Sequence, residues 1–136
     1  MAIDKKLKSI DMRMIDDLFE MGGGYVLDFS NRTFSEFFYD ELGVNIDDTR
    51  YEIDGTSKAK RLRCYLRQTQ IDKVVKTLLA LWEYRETIRR RSGSEEKYPE
   101  LKIEFFQLIE RLGGKVWAES ELGKGACFFF TLLKTN

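Results

Sequence analysis

Residues 71–91 have the sequence IDKVVKTLLALWEYRETIRRR, the longest amphipathic pattern in the chain. Apolar side chains such as Val74, Leu78 and Trp82 recur here at intervals of four residues. This spacing places them on one face of an α-helix. The pattern ends in three consecutive arginines, residues 89–91. We therefore predict one long helix over residues 71–91.

Further helical patterns lie on both sides of this segment. Residues 4–20 and 57–68 carry apolar stripes at helical spacing, and residues 33–36 match the capping box that opens a helix. Pro99 suits the first turn of a last helix, because the N–H that proline lacks is not needed there. The sequence therefore predicts four or five helices.

Short runs rich in aromatic and aliphatic residues predict strands. Residues 25–29 form one such run, and residues 51–53 form a briefer one. Residues 115–121 and 126–133 flank a glycine-containing turn, which is typical of a β-hairpin. We therefore predict an α+β fold, with the helices packed on a small sheet that includes the 25–29 strand and the C-terminal hairpin.

The expected domain organisation is a single domain over residues 1–136. Its helical part, with one short strand, covers residues 1–91, and a helix plus the hairpin covers residues 98–136. The polar stretch between them, residues 92–97, is the only linker-like segment of the sequence.

The distribution of charge is uneven, although the chain of 136 residues has 23 basic and 23 acidic side chains. Residues 1–56 carry 6 basic and 13 acidic side chains, a net charge of −7. Residues 57–91 carry 11 and 3, a net charge of +8, and residues 92–136 carry 6 and 7. The middle of the chain is therefore a basic block next to an acidic one.

Composition excludes several classes of protein. The sequence has no histidine, which removes Ser-His-Asp and Cys-His catalysis, His-ligated metal sites and a phosphohistidine relay. Two cysteines are too few for a disulfide framework, which favours a reducing, cytoplasmic location. No apolar run approaches the length of a membrane span, so we expect no membrane partner.

The basic block contains the main candidate site. A helix that starts at residue 57 would offer free amides to an anion, and cationic side chains follow within three turns. The candidate residues for binding an anion or a nucleic acid are Ser57, Lys58, Lys60, Arg61, Arg63 and Arg67. The alternative interpretation is that these cations pair with acidic residues of the same molecule, among them Asp47 or Asp48.

Two other groups of residues have weaker functional patterns. Asp28, Asn31 and Arg32 lie in a predicted loop before a helix, where functional residues are common, although Asp28 or Asn31 could simply satisfy turn amides. The acidic residues of segment 47–54 could hold a divalent cation, but they do not match the calcium-loop pattern. We predict no catalytic residue, metal ligand or cofactor.

The C-terminal residues resemble a known enzyme domain. Residues 113–132, GGKVWAESELGKGACFFFTL, together with the helix before them, resemble the end of the ATP-binding domain of sensor histidine kinases over about residues 101–133. That family binds nucleotide through an Asn-bearing helix, a D-x-G-x-G turn and a G-x-G-x-G lid, and this sequence contains none of them. The resemblance therefore implies a packing unit without a nucleotide pocket.

The larger part of the chain resembles a different family. Residues 18–34, LFEMGGGYVLDFSNRTF, and residues 55–63, GTSKAKRLR, are similar to the N-terminal domain of AbiJ-type abortive-infection proteins, over about residues 12–88. The resemblance implies a sensing or adaptor role. In that family the toxic activity is expected in a following domain, often a ribonuclease with an R-x4-H motif, and this sequence has no histidine.

Together these patterns predict a non-catalytic sensing or adaptor module of a bacterial phage-defence or stress-response system that binds a protein partner. One alternative is a nucleic-acid-binding module that uses the basic helices of residues 57–91. A second alternative is a metal-dependent enzyme built on acidic loops. The three consecutive phenylalanines at residues 128–130 would also allow pairing of the last strand between two copies of the chain.

Overall fold

The computed structural model describes residues 6–114. The chain divides into two compact units, with the boundary between Gln70 and Ile71. The first unit comprises residues 7–70, and the described part of the second comprises Lys6 and residues 71–114. The linker-like segment 92–97 thus lies inside the second unit.

The first unit begins with helix α1, Ser9–Leu18, which buries Met12, Ile15 and Leu18. A short 3₁₀ helix, Gly22–Gly24, follows it. The unit continues with α2, Asn31–Leu42, a second 3₁₀ helix, Thr49–Tyr51, and α3, Lys58–Gln68.

Aromatic rings form the core of this first unit. Phe34 and Phe38 lie one turn apart on α2 and are fully buried, with ring centroids 4.9 Å from each other. The Phe38 ring contacts Tyr65 of α3 edge to face, with centroids 5.6 Å apart. These contacts join α2 to α3 and so fix the surface on which the basic residues of α3 lie.

Helix α2 starts earlier than the capping-box pattern at residues 33–36 predicts. Ser30 is the N-cap: its hydroxyl accepts a hydrogen bond from the Thr33 amide at 3.1 Å, and the Ser30 amide donates to the Thr33 hydroxyl at 2.9 Å. Thr33 is therefore the third helical residue rather than the cap, and the helix gains almost one turn. This extra turn brings Asn31 into the helix.

The second unit is built on the long helix predicted from the sequence. Helix α4 runs from Ile71 to Ser92, and α5 runs from Pro99 to Arg111. Trp82 stacks on Phe105 of α5, with ring centroids 5.2 Å apart. Pro99 occupies the first turn of α5, as its missing N–H predicts.

The predicted α+β class is wrong for the residues that the structure describes. Residues 6–114 contain five α-helices and two 3₁₀ helices but no strand. Residues 25–29 form a turn, in which the Phe29 amide donates to the Val26 carbonyl at 3.1 Å. Val26 and Phe29 are buried and lie three residues apart, so this segment lacks the alternation of buried and exposed side chains that a half-buried strand requires.

The other strand predictions have different outcomes. The brief strand at residues 51–53 is wrong, because the end of the Thr49–Tyr51 3₁₀ helix and a turn occupy this segment. Asp48 caps that helix by accepting the Arg50 amide at 3.0 Å. The predicted hairpin of residues 115–133, with its phenylalanine run, lies outside the described residues.

Candidate anion-binding surface

The start of α3 carries the first two candidate residues. Ser57 is the N-cap, and its hydroxyl accepts a hydrogen bond from the Lys60 amide at 3.2 Å. Lys58 is the first helical residue and is only 9% exposed. Its ammonium lies 5.2 Å from the centroid of the Tyr25 ring. Gly24, with a positive φ of 90°, packs so closely on Ser57 that an added Cβ would lie 2.9 Å from the Ser57 Cβ.

Arg61 lies one turn into α3 and is buried. Its guanidinium forms an ion pair with Asp47, and its Nε donates to the Thr56 carbonyl at 3.1 Å. The guanidinium carbon also lies 5.6 Å from the centroid of the Phe34 ring. Arg61 thus has a carboxylate, a carbonyl and an aromatic face as partners, which is the arrangement that a buried guanidinium requires.

The structure brings Arg61 together with Asn31, although the sequence placed these residues in two separate candidate groups. The Asn31 side-chain oxygen accepts a hydrogen bond from Arg61 at 3.3 Å. Ser35, one turn further along α2, donates to the second oxygen of Asp47 at 2.6 Å. Asn31 and Arg61 therefore belong to one network that ties the start of α2 to the 44–48 loop and to α3.

The other basic residues of α3 divide into paired and exposed side chains. Arg63 donates to Asp16 of α1 at 3.0 Å. Lys60 and Arg67 are exposed, and the aliphatic part of Lys60 packs over Gly55, whose φ is 140°. Two of the five cations of α3 are thus neutralised by acidic residues of the first 56 positions.

The two remaining residues of the candidate loop, Asp28 and Arg32, lie on the exposed surface. Asp28 is exposed in the turn that ends at Phe29, and Arg32 approaches Glu36 at 4.0 Å on the exposed face of α2. An exposed pair of this kind contributes little to stability. Of the three loop candidates, Asn31 joins the basic residues of α3 through its hydrogen bond from Arg61.

Asp48 does not compensate the charge of α3. Its carboxylate accepts the Arg50 amide at 3.0 Å and pairs with the Arg50 guanidinium at 3.2 Å. These two hydrogen bonds lower the pKa of Asp48, that of the amide most of all, because they stabilise its charged form. Between Asp47 and Asp48, it is therefore Asp47 that lies opposite the basic helix.

A second arginine network lies in the other unit, at the corner between α4 and α5. Arg85 is buried and donates to Glu86 at 2.9 Å and to both oxygens of Glu96 at 2.9 and 2.5 Å. Its guanidinium carbon lies 5.0 Å from the centroid of the Trp82 ring. Arg89 donates to Glu86 at 2.7 Å, and this hydrogen bond raises the pKa of Arg89.

This network holds the segment that resembles a linker in the sequence. Glu96 accepts the Tyr98 amide at 2.9 Å, and Arg89 donates to the Ser94 carbonyl at 3.0 Å. The hydrogen bonds from Arg85, then that from the Tyr98 amide, lower the pKa of Glu96 to about 2. Segment 92–97 is therefore fixed to the end of α4.

Within residues 6–114, no group of three or more Cys, Asp or Glu side chains is arranged to hold a metal ion. In the same part of the chain, no helix combines the length and the apolarity needed to cross a bilayer.

Comparison with known proteins does not assign the chain to a family. No protein-family model, curated protein or solved structure significantly matches this sequence or its fold. The resemblances to AbiJ-type proteins and to histidine kinases therefore stay predictions.

Several partners of the candidate residues were not predictable from the sequence. Lys58 contacts Tyr25 and Arg63 pairs with Asp16, and both partners are distant in the sequence. Arg61 donates to a backbone group, the Thr56 carbonyl. No local sequence pattern reveals these contacts. The Arg85 network was missed too. One signal was present, because an arginine and a glutamate in the middle of an apolar helix require partners when they are buried.

Proposed function

We propose that this protein is a non-catalytic sensing or adaptor module of a bacterial phage-defence or stress-response system. It acts in the cytoplasm by binding a protein partner. The proposed contact region is the α3 start surface, which we define as Tyr25, Ile53, Thr56 and Lys60. The observation that carries the proposal is the exposure of Tyr25, which follows the Gly24 that packs on Ser57, and of Ile53, which precedes Ser57 by four residues in the chain.

Local contacts give the α3 start surface a defined shape. Gly24 packs on Ser57 just before Tyr25, and the Gly55 amide closes a turn on the Glu52 carbonyl at 3.1 Å just after Ile53. Aromatic side chains such as Tyr25 are enriched at the centre of protein–protein interfaces, whereas lysines such as Lys60 are more common at the rim. A preformed surface also binds with less loss of conformational entropy.

The charges of α3 support a protein partner over the nucleic-acid alternative. Arg61 and Arg63 are paired with carboxylates, and Lys58 is buried beside Tyr25. Of the basic residues of this helix, only Lys60 and Arg67 are exposed. Nucleic-acid binding draws its affinity from several phosphate contacts, so it would require more exposed cations than α3 offers.

The biological setting in the proposal rests on the sequence resemblance. Segments 18–34 and 55–63, which are similar to the AbiJ-type N-terminal domain, contain Tyr25, Thr56 and Lys60 of the α3 start surface. The same segments contain Ser57 and Asn31. Binding through these residues would be the recognition function expected of such a domain.

The proposal is tested with a matched pair of double variants. Tyr25→Ala with Ile53→Ala removes the apolar part of the α3 start surface. The control, Tyr39→Ala with Ile10→Ala, removes exposed residues of the same types elsewhere. Tyr25 is 61% exposed and Tyr39 is 71% exposed. Partners recovered by affinity purification from a native host are purified and their dissociation constants measured against each variant.

We expect the first double variant to bind its partner about tenfold more weakly or worse, and the control to bind within about twofold of the unmodified protein. Equal weakening in both variants would contradict the proposed surface. Hydrolysis of ATP or RNA by the purified protein at enzyme-like rates would contradict the non-catalytic role. Binding to RNA that falls steeply with salt would favour the nucleic-acid alternative.

A further inference from the structure

The side of α5 that lies away from α4 is exposed. Phe105 faces α4, because its ring stacks on Trp82 with centroids 5.2 Å apart. Lys102 and Arg111, the two basic residues of α5, are half-buried. Five exposed residues lie at helical spacing on the other side of the helix. We call them the α5 outer face: Glu100, Ile103, Glu104, Gln107 and Glu110.

An exposed isoleucine lies among the carboxylates of the α5 outer face. Ile103 is 60% exposed and lies one helical turn from both Glu100 and Gln107. No ion pair within residues 6–114 includes Glu100, Glu104 or Glu110. Glu100 and Glu104, four residues apart on one side of the helix, repel each other. A surface that supplied cations and covered Ile103 would relieve this repulsion and remove apolar area from water.

Helix α4, in the same unit, offers a surface of the opposite charge. Its exposed charged residues are one acidic and four basic ones, namely Asp72, Lys73, Lys76, Arg90 and Arg91. None of these four basic side chains forms an ion pair within residues 6–114. At about 100° per residue they fall within one half of the helix circumference, and Trp82, which faces α5, lies in the other half.

The ends of the two helices also favour an external charge partner. Lys73 lies in the first turn of α4, where the helix dipole disfavours a cation unless an anion is close. Glu110 lies in the last turn of α5, where the dipole disfavours a carboxylate for the same reason. A contact between the two surfaces would compensate both charges.

We propose that the α5 outer face of one copy of this protein binds the basic side of α4 of a second copy. Charge complementarity selects this pairing, because α5 against α5 would bring carboxylates together and α4 against α4 would bring cations together. The contact joins two different surfaces, so a pair of copies leaves one of each free, and the assembly can extend beyond a dimer. The inference goes beyond the proposed adaptor function, because it uses no residue of the α3 start surface.

The test is sedimentation velocity of the full-length protein at low and at high salt, over a range of about 10 to 500 µM. The contact is one helix wide and its ion pairs are exposed, so we expect a dissociation constant of about 100 µM. The sedimentation coefficient should rise with concentration at low salt. It should stay at the value of the monomer in about 0.5 M salt, because screening weakens the attraction between exposed charges.

Two charge-reversal variants test the pairing itself. Lys73→Glu with Lys76→Glu makes the α4 side acidic, and Glu104→Lys with Glu110→Lys makes the α5 outer face basic. The changes at Lys73 and Glu110 also suit the helix dipoles, so both variants are expected to fold. Each variant alone should associate about tenfold more weakly or worse. Their equimolar mixture should associate at least as well as the unmodified protein, because every contact between the two variants joins opposite charges.

Two controls separate this contact from general effects of charge and of side-chain truncation. Glu36→Lys with Asp40→Lys makes the same change of net charge at exposed positions of α2 and should associate within about twofold of the unmodified protein. Ile103→Ala should weaken association about fivefold. Ile10→Ala, which truncates an isoleucine of α1 that is 71% exposed, should leave it unchanged.

A protein that stays monomeric at low salt would overturn the proposal and leave the α5 outer face to a different partner. Association that does not weaken with salt, or that both charge-reversal variants retain, would assign it to another surface. A mixture of these variants that stays monomeric, or an equal loss in the α2 control, would also contradict the pairing. Tyr25→Ala with Ile53→Ala should associate like the unmodified protein, so this test and the partner test of the α3 start surface can fail independently.

Discussion

Arg61 and Arg85 are both buried arginines packed over an aromatic ring, but their carboxylate partners differ. The side chain of Asp47, which pairs with Arg61, is 53% exposed. The side chains of Glu86 and Glu96, which pair with Arg85, are only 9% and 17% exposed. The first network therefore reaches the surface, and the second is closed within its own unit.

The difference indicates that Arg85 serves only to stabilise the fold. A buried carboxylate without its cation cannot be hydrated, so each member of the Arg85 network depends on the others. Asp47 is already in contact with water and depends less on Arg61. The Arg61 network adjoins the α3 start surface, whereas the Arg85 network fixes the corner between α4 and α5.

The largest effect in this comparison is expected for Arg85→Met. The substitution keeps most of the side-chain volume but leaves Glu86 and Glu96 without their shared cation, so the free energy of unfolding should fall by about 4 kcal/mol. Urea denaturation followed by circular dichroism measures it. Arg89→Met, which removes a more exposed arginine of the same network, is the control and should cost about 1 kcal/mol. If Arg85→Met lowered the free energy of unfolding by less than the control does, the interpretation of the Arg85 network as closed would be wrong.

An intermediate, pH-dependent effect is expected for Glu96→Gln. The folded protein lowers the pKa of Glu96 from 4.5 to about 2, so the charged carboxylate stabilises the fold above pH 4.5, and this contribution is lost as the pH falls toward 2. At pH 7 the variant should be less stable by about 2 kcal/mol, allowing for solvent screening. Unfolding experiments on both proteins should show this difference shrinking between about pH 5 and pH 2. A constant difference over that range would contradict the assigned pKa.

The smallest effect is expected for Arg61→Met. The Thr56 carbonyl and Asn31 lose a donor, but Asp47 stays hydrated and keeps its hydrogen bond from Ser35, so we expect a loss of about 1 kcal/mol. Asp47→Asn, measured in the same denaturation assay, should cost no more than Arg61→Met. If Arg61→Met destabilised the protein as strongly as Arg85→Met, the contrast between the networks would be wrong.

The helices of the second unit were predictable because their patterns are local. Residues 71–91 have an apolar face at helical spacing, Pro99 starts the next helix, and both predictions are confirmed. The strand at residues 25–29 was predicted wrongly, because aromatic and aliphatic composition does not reveal that Leu27 adopts a φ of 47° within a turn. The same aromatic and aliphatic composition is compatible with a turn that buries Val26 and Phe29.

The candidate site was predictable only as a set of residue types. Charge counting identified the basic block and named Asp47 and Asp48 as possible compensating anions. It could not decide between them, because pairing of Arg61 with Asp47 requires the 44–48 loop to pack beside α3. It also could not separate the paired Arg61 and Arg63 from the exposed Lys60 and Arg67.

The sequence by itself determined the long helix α4, the start of a helix near Ser57 and the concentration of cations that follows it. These features depend on residues within a few turns of one another. Tertiary structure alone decided that Asn31 and Asp47 surround Arg61, that Glu96 closes the Arg85 network, and that Tyr25 covers Lys58. Each of these contacts joins segments whose approach depends on the packing of the core, and buried charges become stable only when that packing supplies their partners.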